Sequence, residues 1–268
     1  MVRVPLPVLT TLLTLDPGRI GVMADHPSLP PDLGAAAERL VDELRAHFGS
    51  RLTAVVAHGP RLMSTGRRES GRRAVPLHSL VLVDAVVLAD LEALVPRADG
   101  WRRAGLAMPL LLGRGEFERS LDAFPIEYGA IIASHVVLAG SDPFTGLAVH
   151  AGDLRRACET LAKSHLIHLR EGFLETAGRA GELASMLRAS AMPFAALLGA
   201  VARLEGADAA ERAASAIAGR FGASQAVIDQ VLDQLDVQEL SNDEARRLYP
   251  AYLDVVEKVV AYVDSWRQ

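Results

Sequence analysis

At 268 residues, half of them apolar and 23% charged, the chain is long enough for one large domain or two small ones and too hydrophobic for intrinsic disorder. Lys and Arg total 28 against 33 Asp and Glu, a net charge of −5, which argues against general binding to nucleic acid or to an anionic membrane. The lone Cys158 cannot make an internal disulfide and no Cys/His spacing fits a structural zinc site, so a reducing cytoplasm is the expected compartment.

Residues 1–22 carry an apolar run, Val4 to Leu15, interrupted by Pro5 and Pro7 and too short for a membrane span. Residues 1–32 therefore read as an N-terminal extension. Asp32 is then expected to cap an amphipathic helix whose apolar positions Ala36, Ala37, Leu40, Val41, Leu44 and Phe48 recur at three and four. A strand over Leu52 to Ala57 follows, ending at His58-Gly59-Pro60. A loop with five arginines, Arg61, Arg67, Arg68, Arg72 and Arg73, leads to a second strand over Leu80 to Leu88. A helix from Asp90 to about Arg103, a strand over Leu106 to Leu112, a short helix over Glu116 to Leu121 and a strand over Ile131 to Leu138 complete this half. Beyond residue 150 every segment has helical period: Asp153 to Ala177, Leu183 to Leu204, Ala207 to Phe221, Ser224 to Leu235 and Asn242 to Trp266. The fold class predicted is α+β, an αβ domain over 33–150 with a mixed sheet and flanking helices, then an all-helical bundle over 151–268.

A helix leading into an apolar strand that ends in a tight glycine turn, as residues 36–58 do, resembles the start of the nucleotidyltransferase superfamily, which includes DNA polymerase beta and the aminoglycoside nucleotidyltransferases. The segments Pro109 to Leu112, Glu118 to Glu127, His135 to Phe144 and Tyr252 to Asp264 are similar to bacterial nucleotidyltransferase-like proteins with a helical tail, so the likeness spans about 33–266. The resemblance implies a phosphate-holding Gly-Ser turn, a strand with two Mg²⁺-binding carboxylates, and a third carboxylate nearby. Here the turn is Gly59-Pro60, and proline removes a donor and brings no hydroxyl. Laid on Pro76 to Val83, the paired acidic positions fall on Leu77 and Ser79. The third is expected just after Glu127, where Tyr128, Gly129 and Ala130 stand. Asp84 lies on the wrong strand face to replace them, and Asp90 lies past the strand end.

The arginine loop occupies the place of the family's phosphate-gripping loop, and guanidinium forks suit phosphate, although a solvated surface loop explains it as well. His58, His78 and His135 are expected close together at strand ends, as half-buried hydrogen-bonders or as a metal or acid/base group. His165 and His168, with Glu171 and Glu175, form a weak metal pattern that ordinary helix-surface polarity also produces. No P-loop, Rossmann glycine set, nucleophile elbow or His-Glu-x-x-His occurs, and Arg156 to His165 is too long for a HEPN-type ribonuclease pair.

The expected function is that of a catalytically degenerate nucleotidyltransferase-like protein with a binding or regulatory role and a nucleotide- or phosphate-leaning groove, needing no cofactor. Two alternatives stay open: an active enzyme that transfers NMP with Mg²⁺ from a rearranged site, and a structural partner of a neighbouring enzyme. Met186 to Leu204 is apolar almost all round, which predicts a helix central to the bundle or covered by a second chain, and with it a homodimer.

Overall fold

The computed structural model describes residues 29–63, 76–206, 218–234 and 240–266. They divide into two compact units, one ending at Val149 and the other beginning at His150, and each is treated by itself.

In the first unit, helix α1 (Gly34–Phe48) buries Ala36, Ala37, Leu40, Val41, Leu44 and Phe48, the stripe its periodicity predicts. Asp32 does not cap it. That residue sits in a 3₁₀ turn, Pro31–Leu33, and its carboxylate instead accepts from Arg61. Strand β1 (Leu52–His58) leads into a single helical turn, α2 (Pro60–Met63), and β2 (His78–Val83) pairs antiparallel with β1. Strand β3 (Leu110–Gly113) lies parallel to β2, and β4 (His135–Gly140) antiparallel to β1, giving a mixed four-stranded sheet in the order β3-β2-β1-β4. All six residues of β2 are buried, as an interior strand covered on both faces requires.

Helix α1 packs on one face of the sheet, with Val55, Ala57, Leu77, Val81, Val83, Trp101 and Leu106 in the core beneath it. On the other face Ala54, Val56, Leu80 and Leu82 meet Phe117, Tyr128, Ile131 and Phe144. The unit is thus a sheet between two apolar cores.

Four predicted boundaries are corrected. Strand β2 stops at Val83 because that residue faces Leu52, the first residue of β1, and no partner strand remains beyond it. The Asp84 N–H then donates to the Arg51 carbonyl, and α3 (Leu88–Leu94) begins with its Asp90 carboxylate accepting from the Val87 N–H. The helix expected through Arg103 breaks at Pro96, which cannot donate an N–H; a 3₁₀ turn, Val95–Arg97, separates α3 from α4 (Ala98–Arg103). Leu106 makes only an isolated bridge to Leu77, with Pro109 standing before β3. After α5 (Arg114–Arg119), Pro125 opens helix α6 (Pro125–Ala133), so the strand expected from Ile131 begins only at His135. β4 closes on Gly140, whose φ is +82° and whose added Cβ would lie 2.3 Å from the Thr53 carbonyl oxygen.

The second unit is helical: α7 (Ala151–Glu175), α8 (Ala180–Leu204), α9 (Gln225–Asp233) and α10 (Asn242–Ser265). Ser241 caps α10 by accepting from the Glu244 N–H, and the Glu244 carboxylate accepts from the Ser241 N–H in return. Most of the segment expected as a helix over Ala207 to Phe221 lies outside the described residues, and what is described forms a 3₁₀ turn, Ala218–Phe221. Helix α8 packs against α7, α9 and α10 and buries Leu187, Phe194, Leu197, Leu198 and Val201 among others, so its apolar composition is satisfied inside its own bundle. Among the described residues it is also the one helix long and apolar enough to cross a membrane, and more than half of its apolar window is buried.

Candidate functional site

The sheet register assembles one end of the first unit residue by residue. His58, the last residue of β1, faces His78 of β2 on one side and His135 of β4 on the other. Because cross-strand partners share a face, the three imidazoles form one row across the sheet. Gly59 follows with φ +89°, a left-handed turn that glycine adopts without strain and that closes β1 directly beside His78.

His58 and His78 are 3% and 5% exposed, with ring centroids 5.8 Å apart. Burial pushes the His58 pKa down to about 3, with His78 and His135 adding like-charge repulsion; burial also lowers that of His78. Both rings are therefore neutral at physiological pH. Nδ1 of His135 lies 3.2 Å from the Ile131 and Ile132 carbonyl oxygens, so that nitrogen carries a proton, while Nε2 is 3.4 Å from Asp142 Oδ1. Among the described residues no group of three or more His, Cys, Asp or Glu is arranged to hold a metal ion.

Leu77 and Ser79, the positions expected to carry the paired carboxylates, lie on the opposite face. Leu77 is 1% exposed and part of the core under α1, bonded through its backbone to Gly105 and Ala107. Ser79 faces Ala57 across β1, is 3% exposed, and its Oγ has no hydrogen-bond partner among the described residues. Glu127 and Ala130 stand on a helix, not on a neighbouring strand. That helix, α6, sends Tyr128 and Ile131 into the other core, so Glu127 and Ala130 do not meet Leu77 and Ser79. Leu77 and Ser79 thus lie on one face of the sheet and α6, with Glu127 and Ala130, on the other.

Of the five loop arginines, Arg61 is described, and its Nη2 donates to Asp32 Oδ2 at 2.6 Å. That bond is made by Nη2, while the buried Arg61 Nε has no hydrogen-bond partner among the described residues. Arg67, Arg68, Arg72 and Arg73 lie outside the described residues.

In the helical unit, His165 and His168 point to different environments. His165 is buried, its Nε2 2.6 Å from the hydroxyl of the fully buried Tyr252, and burial brings its pKa down to about 4. His168 is exposed and pairs with Glu171 at 3.3 Å. Buried Cys158 is inert, its thiol pushed up to about 12.

Sequence reasoning missed one polar cluster. Asp90, 3% exposed, accepts from both Arg51 terminal nitrogens at 3.0 and 2.6 Å and from Val87 N at 3.1 Å, and lies 3.1 Å from His47 Nε2. The Arg51 guanidinium holds the Asp90 carboxyl well below the usual carboxylate range. An available signal was His47 near the end of α1 and Arg51 in the 3₁₀ turn that follows it, with an acid in the first turn of α3. A scan against protein-family models gives no match for the chain, and a search of the curated proteins gives none either.

Proposed function

We propose that the chain is a catalytically degenerate nucleotidyltransferase-like protein with a binding or regulatory role. One observation carries this reading: Leu77, which stands where the resemblance asks for a metal-binding carboxylate, is sealed into the apolar core beneath α1. Leucine offers no oxygen to Mg²⁺, and a neutral Ser79 hydroxyl is a poor replacement for its partner acid. Gly59-Pro60 further lacks one backbone donor and the hydroxyl of a phosphate-holding turn. The four-stranded mixed sheet, with the helix α1 before β1 and the helical unit after β4, is compatible with the superfamily's architecture. In this reading the chain works in the cytoplasm by binding, alone or as a homodimer through its helical unit.

Calorimetric titration of ATP, GTP, CTP and UTP, with and without Mg²⁺, tests it, together with a search for labelled NMP on the protein or on added acceptors. The expected result is no transfer and no Mg²⁺-dependent increase in affinity. Metal-dependent binding accompanied by labelled NMP on any acceptor overturns the reading in favour of an active transferase.

A further inference from the structure

Helix α3 is mounted the wrong way round for a helix on a soluble unit. Its inward positions are Asp90 and Leu94, while Val87, Leu88, Leu91 and Val95 are 54%, 69%, 46% and 68% exposed. Apolar burial alone would rotate the leucines inward and the carboxylate outward. What fixes the observed orientation is the Asp90 cluster: two bonds from Arg51, one from the Val87 N–H, and His47 at 3.1 Å. An ion pair with a buried carboxylate and a half-exposed guanidinium thus accompanies a row of outward apolar side chains. Leu88, Leu91 and Val95 recur at three and four, a stripe about 10 Å long.

We propose that this face of α3 docks an amphipathic helix of a partner protein, with apolar anchors at three-and-four spacing and Lys or Arg beside them. The charge around the stripe selects that occupant. Glu92, on α3 itself, and Asp84, just before it, are exposed acids. The neighbouring cations are already engaged, Arg51 with Asp90, and Arg97 with Glu43 at 3.7 Å and the Ala93 carbonyl. The rim therefore offers negative charge. A second copy of the chain is the wrong occupant on two counts. Two-fold pairing of α3 brings Glu92 toward its own copy, and a two-turn stripe falls well short of the roughly 800 Å² per partner that a stable dimer buries. The proposal is independent of whether the sheet end is catalytic.

The test uses the full chain and two fluorescein-labelled peptides of about 15 residues, one of Leu and Lys in amphipathic helical register and one of Leu and Glu. Binding is read by fluorescence anisotropy, and circular dichroism confirms that each variant is folded. The Leu/Lys peptide is expected to bind the natural chain at least about tenfold more tightly than the Leu88→Gln/Leu91→Gln/Val95→Thr variant, and at least about tenfold more tightly than the Leu/Glu peptide does. Glu92→Lys, a single exposed change that leaves the apolar stripe intact, narrows that preference. The proposal is overturned if the Leu/Lys peptide does not bind, if it binds the triple variant equally well, or if Glu92→Lys leaves the preference unchanged. A concentration-dependent dimer in sedimentation, abolished by the triple variant, overturns it in favour of a second copy.

Discussion

Placing an acidic pair at the start of β2 by Leu77→Asp/Ser79→Asp is the sharpest perturbation of the reading proposed for the sheet end. Leu77 is 1% exposed, so the substitution first forfeits the burial of a leucine side chain, about 2–5 kcal/mol by the cost of large-to-small core changes. A carboxyl in that core titrates well above its ordinary value, and keeping it protonated near pH 7 adds about 4 kcal/mol for a rise of 3–5 units from about 3.9. Leu77→Asp alone is thus expected to cost about 6–9 kcal/mol, comparable with the whole stability of a small domain, roughly 5–15 kcal/mol. Ser79→Asp adds a second buried acid two residues away on the same face. The double variant should therefore be unfolded or nearly so in its first unit, with no gain of nucleotidyl transfer.

Urea unfolding followed by Trp101 fluorescence measures this, since that indole is 7% exposed and its Nε1 donates to Glu43 within the same unit. Leu77→Ala supplies the cavity cost without the charge. The sign of the pH dependence separates the two: a folded pKa above the unfolded value of about 3.9 gives stability that is lost as pH rises through that window. The difference between Leu77→Asp and Leu77→Ala must then widen from pH 4 to pH 8. A Leu77→Asp protein within about 1 kcal/mol of the natural one at pH 7 refutes the reasoning, because Leu77 could then turn toward water and the start of β2 would open into a cleft.

Three further outcomes follow from the same geometry. For His58 the depressed pKa makes the folded state bind fewer protons, so stability is retained above about pH 6.5 and falls as pH drops toward 3; at pH 5 the loss from this residue is about 2 kcal/mol, and His58→Leu should flatten the urea midpoint between pH 7.5 and pH 5. Asp90→Ala strands Arg51 and frees the start of α3, so amide exchange of α3 should accelerate at a stability cost of about 2 kcal/mol. Asp90's own depressed pKa has the opposite linkage to a carboxyl raised by burial: its contribution is present above about pH 4 and lost below it. Gly140→Ala puts a Cβ against the Thr53 carbonyl at a φ of +82°, and should lower the urea midpoint by more than any glycine change where added bulk meets open space, such as Gly100→Ala.

What the sequence made legible was whatever depends on neighbours three or four residues away. The α1 stripe from Ala36 to Phe48 and the α7 stripe from Leu154 to Leu169 are read directly from spacing, because one buried face imposes its period on the residues. The row of His58, His78 and His135 was legible only as proximity at strand ends; its register, and the burial that keeps His58 and His78 neutral, depend on pairing between segments far apart in sequence. Apolar runs were ambiguous where turn chemistry decided the outcome. Ile131 sits in a run that serves a helix or a strand equally, and Pro125 settled it as a helix. The same limit explains the candidate site: that Leu77 and Ser79 are poor metal ligands follows from their side chains, but that α6 lies on the opposite face of the sheet from them is a fact of tertiary packing alone.

Asp90 shows why the remainder could not be read. By pattern, an acid in the first turn of a helix belongs outside, facing water and the positive end of the dipole, with Leu88 and Leu91 turned in. The structure reverses this because Arg51 and His47 reach Asp90 across about 40 residues of sequence, and their bonds to its carboxylate outweigh the burial of two leucines. A local rule fails here at the position where a distant pair of side chains was supplied to break it. Such failures mark sites under some demand other than stability, since a helix with Leu at position 90 and polar residues at 88 and 91 would meet every local preference at once. The departure at α3 and the departure at Leu77 differ in kind on this test. Leu77 is an apolar side chain in an apolar core and satisfies stability; α3 leaves apolar side chains in water while Arg51, His47 and the Val87 N–H hold its Asp90. The first meets the local preferences as it stands, and the second is the departure that the docking surface proposed on α3 would account for.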